Sequence, residues 1–230
     1  MLGWSDFGAQ LVGHWAGYAN PASTLEVVTS DVHRADASAR VARLGLGEAV
    51  VTVGSDLADH LDRVAGGSSD TMILLLADHA LDATEADVRV LLDLAVLRAA
   101  LPDGVRPRLV VELRDVESVP LVELQGADDY LVSDAVASKF IAQLAEQPER
   151  RQVFLELYDP SSPTLRSDDV VEVGLVGEFE VRALWSAAYE QGLLAIGWRH
   201  TPERGGELVL NAPAADRVEL RPGDLLISIG

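Results

Sequence analysis

Short apolar runs alternate with amphipathic helical patterns from the N-terminus to about residue 148. That rhythm restricts the fold, because parallel strands need a long crossover between them, and a helix usually supplies it. Strands are expected at 25–29, 49–53, 72–76, 109–113 and 130–132. Helices are expected after Gly8 and at 34–44, 56–64, 85–99 and 134–146. Their apolar faces carry Leu11, Val12, Trp15 and Ala19, then Val88, Leu91, Leu92, Ala95 and Leu97, then Val136, Phe140, Ile141 and Leu144. The run Met72-Ile73-Leu74-Leu75-Leu76 is apolar at every position, as a strand covered on both faces requires. Beyond Gln147-Pro148-Glu149 the rhythm changes to separated strands, expected at 153–157, 170–175, 193–198, 207–210 and 224–229, around one helix at 179–191. An α/β parallel-sheet lobe over 1–148 followed by a smaller α+β lobe over 149–230 is the expected organisation.

The chain opens Met1-Leu2-Gly3-Trp4-Ser5-Asp6-Phe7-Gly8, a G-x-S-x-x-G turn. In the dinucleotide fingerprint G-x-G-x-x-G the glycines allow a tight exit from the first strand and a close approach of backbone N–H groups to phosphate. Gly3 and Gly8 keep the outer positions, while Ser5 puts a Cβ and a hydroxyl where a pyrophosphate would come nearest. That hydroxyl can bond a ligand or cap the helix. The same fingerprint asks for an acid about 20 residues further on, at the end of the second strand, to accept ribose hydroxyls. Asp31 stands there, with helix capping as its competing role. Ser55 and Asp56 after the third strand and Asp78 after the fourth complete a row along the carboxyl edge of the sheet, where open α/β sheets bind ligands.

Composition narrows the chemistry. The 37 acids against 18 bases give a formal charge of −19, which disfavours nucleic-acid and anionic-lipid partners. Cysteine is absent, removing disulfides, thiol nucleophiles and thiolate metal sites together. The longest apolar run, 72–77, falls far short of the roughly 20 residues a bilayer span needs, so no direct bilayer insertion is expected. Lys139 is the only lysine, and position 135 is alanine, so the Tyr-x-x-x-Lys pair of short-chain dehydrogenases cannot form. The histidines His14, His33, His60, His79 and His200 have no metal-ligand spacing.

Leu2-Gly3-Trp4-Ser5-Asp6, Val110-Val111-Glu112-Leu113 with Pro120-Leu121-Val122, Asp134-Ala135-Val136 and Leu220-Arg221-Pro222-Gly223-Asp224-Leu225-Leu226 carry a resemblance. Nearly the whole chain resembles an RCK module, the regulator-of-conductance unit of potassium and other cation channels, and within that group the Castor/Pollux type. The resemblance implies a Rossmann-like N-lobe with a TrkA-C-like C-lobe, without enzymatic activity, at the cytoplasmic face of the cell membrane. It implies a role in coupling ligand binding to gating of a cation channel or transporter. The implied partners are a pore-forming membrane domain, upstream in the same chain or on a separate subunit, and further copies in a dimer or ring. Only Met1 and Leu2 precede Gly3, fewer than the roughly five residues of an ordinary strand, so the reading expects sequence upstream.

Within that resemblance the ligand contacts fall on Gly3, Trp4, Ser5, Asp6, Gly8, Asp31, Ser55, Asp56 and Asp78, with NAD(H) or an adenine nucleotide favoured over calcium. Calcium would draw on Asp78, Asp82, Glu85 and Glu112, since it collects six to eight oxygens. Calcium-gated relatives carry two alternating glutamates on the fifth strand, and Arg114 occupies the second position. The apolar stripes of the helices at 85–99 and 134–146 fit either a core face or contacts between copies. Two other readings stay open: an NAD(P)-dependent oxidoreductase or epimerase, and an oligomerisation scaffold without ligand.

Overall fold

The computed structural model describes residues 1–20, 22–45, 48–53, 71–101 and 107–230. The chain divides into two compact units, 1–146 and 147–230.

In the first unit the parallel pairs are β1 (Thr24–Thr29) with β2 (Glu48–Val53), β3 (Met72–Leu75) with β4 (Arg108–Leu113), and β4 with β5 (Asp129–Val132). Leu2 joins the two groups through parallel bridges to Val28 and Leu75. Its N–H donates to Leu74, its carbonyl accepts from Leu76, and Gly3 N–H donates to Val28. Met1–Gly3 therefore acts as a short central strand, giving the order β2-β1-Leu2-β3-β4-β5. The strand order reverses between Leu2 and β3, and that reversal opens a crevice at the carboxyl edge.

Neighbouring residues of β1 serve opposite faces, as period-two alternation demands. Val27 packs with Trp4 of the glycine turn, with Ala9 and Val12 of α1 (Asp6–Tyr18) and with Ala37 and Val41 of α2 (Arg34–Val41). Val28 packs on the other face with Leu75, Val111 and Leu113. α3 (Ala83–Ala100) covers that face with Val90, Leu91, Leu94 and Leu97, joined by Val122 of α4 (Val119–Gln125). Of the helical face expected for α3, Leu91 and Leu97 are buried, but Val88, Leu92 and Ala95 are exposed, and Ala86, Val90 and Leu94 are buried in their place. α3 is apolar on more than one side, so contact with the sheet selects which of its apolar residues face inward. α5 (Ser133–Glu146) buries no residue, and its Val136 and Ile141 are 47% and 65% exposed.

The second unit carries an antiparallel sheet, β6 (Leu165–Asp169), β11 (Leu225–Ile229), β8 (Leu194–Arg199) and β9 (Leu208–Leu210), in that spatial order. A separate pair joins β10 (Arg217–Leu220) to β7 (Gly177–Glu180), and α7 (Val181–Glu190) buries Val181, Leu184 and Ala188. Three segments of this unit differ from their expected form. The apolar run expected as a strand at 153–157 lies in α6 (Arg150–Leu157), where Gln152 and Glu156 pair across one turn. The strand expected at 170–175 is a turn, because the Asp169 carboxylate accepts the Val171 N–H and its carbonyl accepts from Glu172 and Val173. β6 precedes it and is polar. The helix expected from 179 starts at Val181, since Glu178 to Glu180 pair with β10. The helix expected at 56–64 lies outside the described residues.

Candidate functional site

Gly3 holds φ +95°, a left-handed conformation that a side chain makes costly, and a Cβ there would stand 3.3 Å from the Leu76 carbonyl oxygen. At Gly8 a Cβ would stand 3.2 Å from Leu76 Cδ1. Both outer glycines therefore let the turn and α1 close onto the end of β3. Ser5 is the N-cap of α1, and its Oγ accepts the Gly8 N–H at 3.2 Å. Asp6 lies in the exposed first turn and pairs with Arg40 at 3.3 Å. Trp4 is buried, and its indole N–H donates to Asp36 at 2.9 Å. That bond and the Arg40 guanidinium hold the Asp36 carboxyl below its ordinary value.

The crevice beside this turn has a volume of about 360 Å³, within the range of small-molecule clefts. Gly3, Trp4 and Asp78 line it, as does Leu76. Thr29 at the end of β1, Ser30 and His33 at the two ends of the 3-10 turn that follows it, and Arg89 and Asp93 on α3 also line it, and sequence reasoning missed all five. Asp31 is exposed and opens a 3-10 turn between Ser30 and His33; the wall is formed by those neighbours. Ser5, Asp6 and Gly8 shape the turn behind the wall. Ser55 and Asp56 lie outside the described residues.

The four acids expected around a cation do not converge. Asp78 accepts the Ala80 N–H at 3.0 Å, Asp82 caps α3 by accepting the Glu85 N–H, and Glu85 pairs with Arg89 at 2.9 Å. Glu112 is 4% exposed; it accepts the Ala77 N–H at 3.1 Å and meets His79 Nε2 at 2.8 Å. His79 in turn stacks on Phe7, with ring centroids 4.9 Å apart. Among the described residues no three acidic or imidazole side chains come together to hold a metal ion. Arg114 is also structural: it donates to the Leu81 carbonyl and pairs with Asp134, while its own N–H is accepted by buried Asp87. A lone buried acid inside the apolar run of β4 was the available signal for the Glu112 tie.

The second unit has one buried carboxylate, Asp224, with 0% exposure. It accepts N–H groups of Thr201 and Arg221, both at 2.9 Å, meets His200 Nδ1 at 3.2 Å, and pairs closely with Arg204. Burial opposes its charge, but the two amides, His200 and Arg204 together hold the carboxyl below its ordinary value.

No family model matches the sequence. Over 168 residues, 68% of this chain, it is 29% identical to the ion channel DMI1 of Medicago truncatula, and it spans 18% of that protein's length. In structure it is similar to the human SLO3 gating ring, with TM-score 0.55 and 14% identity over 89% of this chain and 40% of that chain. It is also similar to a GsuK channel bound to NAD, with TM-score 0.37 and 16% identity over 92% of this chain and 37% of that chain. The likeness to the gating ring shows the fold, an α/β parallel-sheet unit followed by a smaller one. The ion-channel likeness agrees with the RCK resemblance. No described helix is long and apolar enough to cross a membrane.

Proposed function

We infer that this chain is a cytosolic ligand-sensing RCK module of a cation channel or transporter, acting at the cytoplasmic face of the membrane. The sequence likeness to an ion channel over 168 residues carries this reading. The crevice at the strand-order reversal supplies its ligand site. Gly3, Trp4 and Asp78 contribute to the wall, and Ser5, Asp6 and Gly8 hold the turn. An adenine nucleotide or NAD(H) is favoured over calcium, because the four candidate acids already serve caps, turns and ion pairs. The mechanism is a population shift: a ligand that binds one arrangement of the module better biases that arrangement, and a ring of modules passes the bias to the pore. Self-association draws on α5, whose exposed apolar residues leave a face for another copy.

A thermal-shift panel of NAD, NADH, ATP, ADP, AMP, calcium and magnesium tests the reading. A ligand that binds only the folded state raises Tm by mass action. The reading expects stabilisation by nucleotides and none by the cations. Stabilisation by calcium alone moves the site to the acidic loops, and turnover of NADH makes the chain an enzyme. No response at all favours the ligand-free scaffold, the reading that Ser5 as helix cap supports.

A further inference from the structure

Thr29 ends β1 on the crevice wall and is 4% exposed. Buried polar side-chain atoms without a hydrogen-bond partner among the described residues occur at Thr29, Arg98, Arg114, Gln125, Trp198 and Ser228, and of these Thr29 alone lines the crevice. Buried polar groups are nearly always satisfied, so an orphan hydroxyl on a cleft wall is a group that the chain itself leaves to be met.

The N-terminus of α1, behind the crevice wall, is partly engaged by the chain's own atoms. A phosphate at a helix N-terminus is held by free N–H groups and by the positive end of the helix dipole. In α1 the Gly8 N–H is taken by Ser5 Oγ, the Ser5 side chain stands where the fingerprint has a bare glycine, and Asp6 sets a carboxylate in the first turn. The wall charges do not compensate. Asp78 and Asp93 stand against Arg89 and His33, and Arg89 is tied to Glu85 at 2.9 Å.

We propose that the crevice reads the nucleoside and not the phosphates, with the Thr29 hydroxyl as the specificity-determining group that bonds a ribose hydroxyl or a base edge. This rests on the reading of the crevice as a nucleotide-class sensor site. Phosphates then add no affinity, and the ligand is selected at the β1 end of the crevice.

Isothermal titration of the chain with adenosine, AMP, ADP and NAD tests this, in wild type, Thr29→Val and Thr29→Ser. Valine keeps the branched shape that suits a strand and removes the hydroxyl; serine keeps the hydroxyl. The four wild-type affinities are expected to agree within about threefold. Thr29→Val is expected to weaken all four by about tenfold, the upper scale of one neutral hydrogen bond, and Thr29→Ser to recover most of that loss. ADP or NAD binding tenfold or more tighter than adenosine would overturn the proposal, as would unchanged affinity in Thr29→Val. Either result leaves the sensor reading standing. If none of the four binds the wild-type chain, the sensor reading fails and the proposal with it. Should Thr29→Val not fold, adenosine against ADP and NAD on the wild-type chain still decides.

Discussion

Asp224 in the second unit and Thr29 in the first are both buried polar groups, and the chain treats them in opposite ways. Asp224 receives two backbone N–H groups, an imidazole and a guanidinium. Thr29 Oγ1 receives nothing from the described residues. A satisfied buried charge holds architecture in place, here the Arg221-Pro222-Gly223-Asp224 turn against the loop that follows β8. The Thr29 hydroxyl, on the crevice wall, is the group that the proposal assigns to a ligand. On the proposed reading, Asp224 belongs to the polar chemistry that holds the fold and Thr29 to the chemistry that meets a ligand.

The largest expected effect breaks the satisfied side. Asp224→Ala leaves Arg204 and two backbone amides without their acceptor, so the second unit should lose about 3 kcal/mol of stability in urea unfolding. Adenine-nucleotide affinity should stay within about twofold, because the crevice lies wholly in the first unit. A large loss of affinity would mean that the two sites are coupled. Acid sharpens the same point. The Asp224 carboxyl is depressed in the folded state, so its stabilisation is complete above its unfolded value near pH 4 and is lost as the pH falls through the lower folded value. Wild type should therefore lose more stability than Asp224→Ala over that acidic interval.

A smaller effect on stability is expected where α5 meets solvent. α3 and α5 both carry apolar stripes, yet α3 buries six residues and α5 none. Ile141→Asp should change unfolding stability by less than about 0.5 kcal/mol. Light scattering should show the same substitution lowering the assembly state. An unchanged assembly state would place the contact between copies elsewhere.

Much of the first unit was legible because its strands are apolar and its crossovers regular. β1, β3, β4 and β5 lie within a residue or so of their expected positions. The glycine turn was also legible, since a φ of +95° at Gly3 is a backbone demand that sequence records directly. β6 was not, because Leu165-Arg166-Ser167-Asp168-Asp169 is polar and is held by pairing with β11. α6 was misread because three successive apolar residues, Val153 to Leu155, fit a strand as well as a short helix. The crevice wall escaped for a topological reason. Thr29, Ser30, Arg89 and Asp93 become neighbours only once β1 and α3 are set on either side of Leu2, and no local pattern announces that. Position at the carboxyl end of the second predicted strand was the one signal that pointed near Thr29.

The central claim is that ligand is sensed at the edge built from the glycine turn, the end of β1 and the end of β3. Hydrogen–deuterium exchange with and without a saturating adenine nucleotide tests it most directly. The account predicts slowed exchange in 3–8, 28–33 and 76–78, with the Arg221 to Asp224 turn unchanged. Protection confined to 78–85 on adding calcium, with no response to nucleotide at the glycine turn, would contradict it.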